Sequence, residues 1–203
     1  FSESESLMIV PIIGLLSGFL PFFIILHGIF KAAYKFKVYY HMLKCNTLPK
    51  TFDGVKIAQI SDLHLGSFNY NYHKLECAVE KINNLNPDYI VITGDLVNNY
   101  AWELHGWDIG FKLLLNEADI ISENNAEIAI VGVENWGKSP FKQYGDLQKA
   151  MESVKSIPFK ILLSHDPTHW EEEVIDKTDI SLTLSGHTHG MQAAFQYKNL
   201  QKE

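Results

Sequence analysis

The chain has 203 residues, 46% of them hydrophobic, and a formal net charge of −7 at pH 7. A chain of this length and composition can bury enough apolar surface to form an ordinary domain with its own core. Its acidic balance argues against a function that needs a basic surface, so we expect no nucleic-acid partner. The two cysteines, Cys45 and Cys77, match no metal-binding or redox spacing, which favours reduced thiols over a disulfide framework.

The first predicted element is an apolar run from Leu7 to Phe30 that contains no Asp, Glu, Lys or Arg. As a helix it would be about 36 Å long, enough to cross a hydrocarbon core of about 30 Å. A buried core helix is seldom this long without a charge. A cleaved signal peptide would have a shorter apolar region with basic residues ahead of it. The run therefore predicts a transmembrane helix.

The charges on the two sides of this run differ in sign. Acidic residues precede it, and basic residues follow it at Lys31, Lys35, Lys37, Lys44 and Lys50. Because basic residues stay on the cytoplasmic side, we predict a membrane protein whose remaining chain is cytoplasmic. Residues 1–47 would form the transmembrane helix and a basic juxtamembrane segment. The first residue is Phe1 and not Met, so we expect the chain to be part of a longer product.

From Leu48 onward the sequence is typical of an α/β domain. An apolar run at residues 55–61 predicts a buried strand, and residues 87–93 predict a second one. Between them, apolar residues recur at helical spacing over residues 72–85. A strand, a helix and a strand within about forty residues form a parallel crossover unit.

The remaining elements continue the α/β pattern. Residues 111–121 and 126–133 are apolar runs on either side of a polar stretch and predict a hairpin. Residues 146–156 predict a helix, and residues 159–164 and 179–185 predict two more short strands.

Ionisable residues follow several of these strands directly. In extended chain, residues two positions apart point to the same side. Asp62 with His64, and His187 with His189, can therefore each bind one ligand as a pair. Ligands of open α/β sheets gather beyond the carboxyl ends of the parallel strands. The residues concerned are Asp62, His64, Asp95, His165, His187 and His189.

Carboxylate oxygens and imidazole nitrogens together are ligands for Mn, Fe or Zn. Four histidines and two aspartates exceed the needs of one ion, whereas two ions about 3.5–4 Å apart that share a carboxylate use the set better. Singly, each piece has another explanation: a surface turn, a coincidence, or a hydrogen-bonded core histidine. Their order, each after a strand, favours a metal site.

The stretches GVKIAQISDLHLG, DYIVITGDLVN, ILLSHDP and LSGHTHGMQ resemble the calcineurin-like metallophosphoesterase family, in particular its membrane-anchored bacterial branch. The resemblance extends over roughly residues 48–192. It implies a sandwich of two β-sheets flanked by helices and the metal-assisted hydrolysis of phosphate monoesters or diesters.

The resemblance also implies roles for single residues. Asp62, His64 and His189 would bind a first divalent ion, either Mn, Fe or Zn. His165 and His187 would bind a second, and Asp95 would bridge both ions.

The sequence departs from the family pattern in two places. The family carries a Gly-Asn-His-Asp/Glu block that supplies a metal ligand and the catalytic histidine, and this block is not found. The junction near residues 107–108 therefore predicts a deleted segment. His105, the only histidine between residues 98 and 110, is the candidate for the catalytic role. Glu134 and Asn135 are candidates for substrate contact or for a turn. We also expect domain 48–203 to lack the family's C-terminal strands, which makes the predicted sandwich incomplete.

The sequence thus predicts a membrane-anchored phosphoesterase with a dinuclear metal centre. Its substrate would be a phosphate ester, with a lipid-linked ester favoured by the membrane location. The alternative is a catalytically impaired metal-binding pseudoenzyme or a membrane interaction module, because the third motif is missing.

Overall fold

The computed structural model describes residues 3–30, 35–68, 72–97, 110–137, 142–187 and 194–197. The chain divides into two compact units, Phe1–His41 and Met42–Glu203.

The first unit contains a long helix, α1 (Glu3–Phe30). Its stretch Pro11–Gly28 is long and apolar enough to cross a membrane, and none of that stretch is buried within the structure. Within Pro11–Gly28 the apolar side chains are distributed all round the helix, so this stretch has no polar face to present to water. The predicted N-terminal apolar helix is confirmed.

The second unit begins with a parallel crossover formed by β1 (Ile57–Ile60), α2 (Tyr72–Asn84) and β2 (Tyr89–Ile92). The strands pair in parallel, with Ile57 opposite Tyr89. Helix α2 buries Leu75 and Ala78, while most of its charged side chains are exposed. The predicted strand–helix–strand crossover is therefore confirmed.

The larger sheet has five strands among the described residues, in the same order as along the chain. Its outer pairs are antiparallel, and its central pairs are parallel. The carboxyl ends of the three parallel strands therefore lie at one edge of the sheet. These strands are β3 (Glu117–Glu123), β4 (Ala126–Gly132), β5 (Lys160–Leu163), β6 (Leu182–Ser185) and β7 (Ala194–Tyr197), with β4, β5 and β6 parallel.

The hairpin of β3 and β4 differs from its predicted bounds. β3 begins at Glu117, six residues later than predicted, because Asn116 has a left-handed backbone with φ +55° and turns the chain into the strand. The strand then runs through the polar stretch to a tight turn at Asn124 and Asn125, with φ +47° and +64°. Two successive asparagines with positive φ suit the twist of a two-residue hairpin turn.

Two apolar clusters lie on opposite faces of the larger sheet, as the period-two alternation of strand residues requires. On one face, Ile128 and Ile161 belong to a buried cluster against which Ile57 and Val91 of the smaller sheet pack. The two sheets therefore face each other across this cluster. With helices beside them, they form the mixed α/β architecture of two sheets that the sequence predicts.

The opposite face of the larger sheet is covered by short helical segments. Helix α3 (Leu147–Met151) continues into a 3₁₀ turn (Glu152–Val154), whereas the sequence predicts one helix to residue 156. A π-helical turn (Trp170–Val174), which the sequence pattern does not predict, supplies Trp170 and Val174 to the same cluster.

Candidate metal centre

The candidate ligands follow directly after the strands of both sheets, and their backbone is unusual. Asp62, His64, Asp95 and His187 all have positive φ, at +53°, +45°, +48° and +62°. Such left-handed geometry costs a non-glycine residue on the order of 1–3 kcal/mol and clusters at functional sites. Backbone hydrogen bonds hold it in place here: the Asp62 N–H donates to the Gly94 carbonyl (3.2 Å), and the His64 N–H donates to the Asp95 carbonyl (2.9 Å).

Two groups of ligand atoms form at this edge. In the first group, one ligand atom each from Asp62, His64 and Asp95 lies within 4.8 Å of the others. In the second, the same holds for Asp95, His165 and His187. Asp95 belongs to both groups: its Oδ2 lies 3.7 Å from His64 Nε2 and 3.3 Å from His165 Nε2. A carboxylate in this position can bridge two ions.

The ring of His165 is fixed by the protein. Its Nδ1 lies 2.8 Å from the Thr93 carbonyl oxygen, which can only accept a hydrogen bond, so Nδ1 carries the proton and donates it. The lone pair is then on Nε2, which faces Asp95. A backbone carbonyl that sets the tautomer in this way is a common partner of metal-binding histidines.

Two glycines leave room for this arrangement. A Cβ atom at Gly94 would lie 2.5 Å from His165 Nδ1, and a Cβ atom at Gly186 would fall onto Ser61 Oγ. Gly94 also has φ +110°, which side chains rarely tolerate. Both positions therefore need glycine for the strand ends to approach each other this closely.

The residues present fit divalent ions. His165 Nε2 and Asp62 Oδ1 are buried and have no hydrogen-bond partner within the described part of the chain. Buried ligand atoms without a partner are costly unless something else satisfies them. Two carboxylates and three imidazoles converge here, which is the donor set of Mn, Fe or Zn.

The other predicted site residues are His189, His105, Glu134 and Asn135. His189 and His105 lie outside the described residues. Glu134 and Asn135 follow β4 and contact distant segments: the Asn116 side chain donates to Glu134 Oε2 (2.6 Å), and the Asn135 carbonyl accepts from the Tyr144 N–H (2.9 Å).

Sequence reasoning missed a buried polar pair beside the candidate ligands. His169 is completely buried, its Nδ1 lies 2.9 Å from Ser164 Oγ, and its ring stacks on Trp136 with centroids 4.2 Å apart. Burial lowers the pKa of His169 to about 4, although the carboxylates of Glu173, Asp166 and Glu172 act in the opposite direction. Its position four residues after His165 was the available signal.

Known proteins provide the comparison. A model of the calcineurin-like phosphoesterase family matches residues 55–121. A transmembrane protein with metallophosphoesterase domain from Danio rerio is 27% identical over 82% of this chain and 47% of its own length. A protein of the same name from Bos taurus is 28% identical over 71% of this chain and 42% of its own length. The uncharacterized metallophosphoesterase YkuE of Bacillus subtilis is 26% identical over 75% of this chain and 64% of its own length.

These matches confirm the resemblance to the calcineurin-like metallophosphoesterases. The similar proteins include bacterial metallophosphoesterases as well as animal transmembrane proteins. The chain spans about half the length of the transmembrane relatives that it matches.

Proposed function

We propose that this chain is a metal-dependent phosphoesterase that hydrolyses phosphate esters at a centre of two divalent ions. The observation that carries the proposal is the convergence of two ligand groups that share Asp95. The family resemblance supports the same reaction class. When bound, two divalent ions stabilise the negative charge that develops on the phosphoryl oxygens and lower the pKa of water.

The residues of the chain would divide the binding work. Asp62 and His64 would hold the first ion, with His189 as a further ligand from the family pattern. His165 and His187 would hold the second, and Asp95 would bridge both. The Thr93 carbonyl would keep His165 in the tautomer that presents Nε2 to the ion.

In this proposal the chain lacks the residue that usually donates a proton to the leaving group in this family. We propose that a segment near residues 107–108 is absent from this chain. The match to the Danio rerio protein supports an absent segment within the matched region, because the alignment is 207 residues long yet covers only 82% of the 203 residues here. The relative therefore contributes residues that have no counterpart in this chain. Without a general acid, substrates with good leaving groups should still react, since such a group contributes about 10²–10⁴-fold.

We further propose a membrane location with the phosphoesterase domain in the cytoplasm. Helix α1 is long and apolar enough to cross a bilayer, and basic residues follow it in the sequence. The names of the two animal relatives, which call them transmembrane proteins, support the same location. A lipid-linked phosphate ester is the substrate class that fits an anchored enzyme.

The experiment is hydrolysis of an activated aryl phosphodiester by the detergent-solubilised chain with Mn²⁺. Asp95→Asn should reduce turnover by at least 100-fold, because it weakens the shared ligand of both groups. Asp53→Asn, the same change at an exposed carboxylate outside both groups, should leave turnover unchanged. Binding of two Mn²⁺ ions without turnover would refute the enzyme and identify a metal-binding module. Failure to bind metal would refute both.

A further inference from the structure

The two ligand groups differ in how they depend on the two sheets. Asp62, His64 and Asp95 all follow strands of the smaller sheet. His165 and His187 follow strands of the larger sheet, so the group that they form with Asp95 spans both sheets. The position of the larger sheet against the smaller one therefore sets the geometry of this second group.

One side chain that is not a candidate ligand connects the sheets directly behind these groups. The side-chain amide of Gln59, in β1, donates to Thr93 Oγ1 at 2.9 Å and to the Ser185 carbonyl at 2.9 Å. Thr93 lies two residues before Asp95, and Ser185 lies two residues before His187. Both hydrogens of one amide group are thus used to hold the two strand ends that lead to Asp95 and His187.

The surroundings of Gln59 make this connection stiff. Thr93 and Ser185 are 3% and 0% exposed, so water cannot readily replace either hydrogen bond. The Thr93 carbonyl also accepts a hydrogen bond from His165 Nδ1–H, so Thr93 is bonded both to Gln59 and to His165. The amide of Gln59 therefore acts on Asp95, His165 and His187 through their neighbours.

We infer that Gln59 is a positioning residue that fixes the distance between the two sheets at the metal centre and thereby sets the affinity of the ion held by Asp95, His165 and His187. This rests on the proposed dinuclear function. The ion held by Asp62, His64 and Asp95 depends less on Gln59, because these three residues are carried by one sheet. Partners of metal ligands typically affect metal affinity 10–100-fold.

The test uses Mn²⁺ alone as the probe, with the full chain in detergent and electron paramagnetic resonance as the readout. Two Mn²⁺ ions that share a carboxylate give an exchange-coupled spectrum, and a single ion gives an isolated one. In Gln59→Met, which keeps the length but has no N–H, the Mn²⁺ ion held by Asp95, His165 and His187 should bind at least 10-fold more weakly. The ion held by Asp62, His64 and Asp95 should bind with nearly native affinity. Thr93→Val removes only one of the two acceptors and should have the smaller effect.

The outcomes separate this inference from the proposed function. Coupled binding of two ions by the wild-type chain, with selective loss of the second ion in Gln59→Met, supports the inference. Two ions bound with native affinity and coupling in Gln59→Met overturn it and leave the phosphoesterase proposal intact. Failure of the wild-type chain to bind two coupled ions overturns both. If Gln59→Met does not fold, Gln59→Asn, whose amide is too short for both bonds, replaces it under the same criteria.

Discussion

Nε2 of His165 lies 3.3 Å from Oδ2 of Asp95, although one residue follows a strand of the larger sheet and the other follows a strand of the smaller sheet. The contact brings a ring nitrogen with no hydrogen-bond partner among the described residues to a carboxylate that a second histidine also approaches. A divalent ion between these atoms would satisfy them.

Mn²⁺ should stabilise the folded chain. At a free concentration 100 times the dissociation constant, one bound ion adds about 2.7 kcal/mol to the free energy of unfolding. His165→Ala should lose much of this gain, because it removes a ligand, and a chelator should abolish it in the wild-type chain. His73→Ala alters a histidine that is 83% exposed and should keep the full gain. Urea titrations with and without Mn²⁺ measure the effect, and an equal gain in His165→Ala would contradict it.

Gly94→Ala should disrupt the site more than a strained backbone alone explains. The new Cβ would lie 2.5 Å from His165 Nδ1, and the residue has φ +110°. We expect a loss of on the order of 3 kcal/mol in the free energy of unfolding and at least 10-fold weaker Mn²⁺ binding.

Gly54→Ala is the matched control for this change, since Gly54 has φ +81° with open space around its Cβ position. It should cost about 1–2 kcal/mol and leave Mn²⁺ affinity unchanged. Equal metal affinity in the two alanine variants would show that Gly94 does not make room for the histidine.

Asn116→Ala should strongly destabilise the larger sheet. The side chain of this buried residue accepts from the Glu134 N–H (3.1 Å) and the Asp146 N–H (2.8 Å) and donates to the Tyr144 carbonyl (2.9 Å). Its loss leaves these partly buried backbone groups without the Asn116 side chain, so we expect a cost of about 2–4 kcal/mol in urea titrations.

The control for Asn116 is Asn125→Ala at the hairpin turn. Asn125 also has positive φ but is exposed, and it should cost only about 1 kcal/mol. If the two asparagine variants lose the same stability, the hydrogen bonds of Asn116 contribute little beyond its backbone conformation.

Stability should fall as the pH drops from about 6.5 towards 4. Burial holds the pKa of His169 at about 4 in the folded chain, against an ordinary value of 6.5. Below pH 6.5, His169 therefore binds a proton in the unfolded chain but stays neutral in the folded chain. This difference favours unfolding by up to about 3 kcal/mol near pH 4. Above pH 6.5 this contribution is constant.

His169→Gln should flatten this part of the pH profile of unfolding free energy, because glutamine does not titrate. The matched control is His73→Gln, the same change at a histidine whose side chain is 83% exposed. A profile with the same slope in both variants would assign the acid sensitivity to other groups.

Much of the fold follows from local sequence pattern. The parallel crossover of β1, α2 and β2 is encoded by apolar runs and helical spacing, and strand-end residues mark where ligands converge. The predicted start of β3 is too early because the apolar residues before Asn116 suggest a strand. In the structure, Asn116 instead bonds to Tyr144 and Asp146, and the strand begins only after it. Lys160 is likewise fully buried within β5, paired with Asp179 at 2.7 Å, and no periodicity announces such a partner. Gln59 also acts across two sheets, which local pattern does not reveal.

The left-handed backbone at Asp62, His64, Asp95 and His187 sets the stability of the fold against the supply of candidate ligands. Glycine at any of these positions would relax the chain at no steric cost. It would also remove a carboxylate or an imidazole from the cleft. Variants selected for thermal stability alone should therefore accumulate substitutions at these four positions, and their affinity for divalent ions should fall as their stability rises.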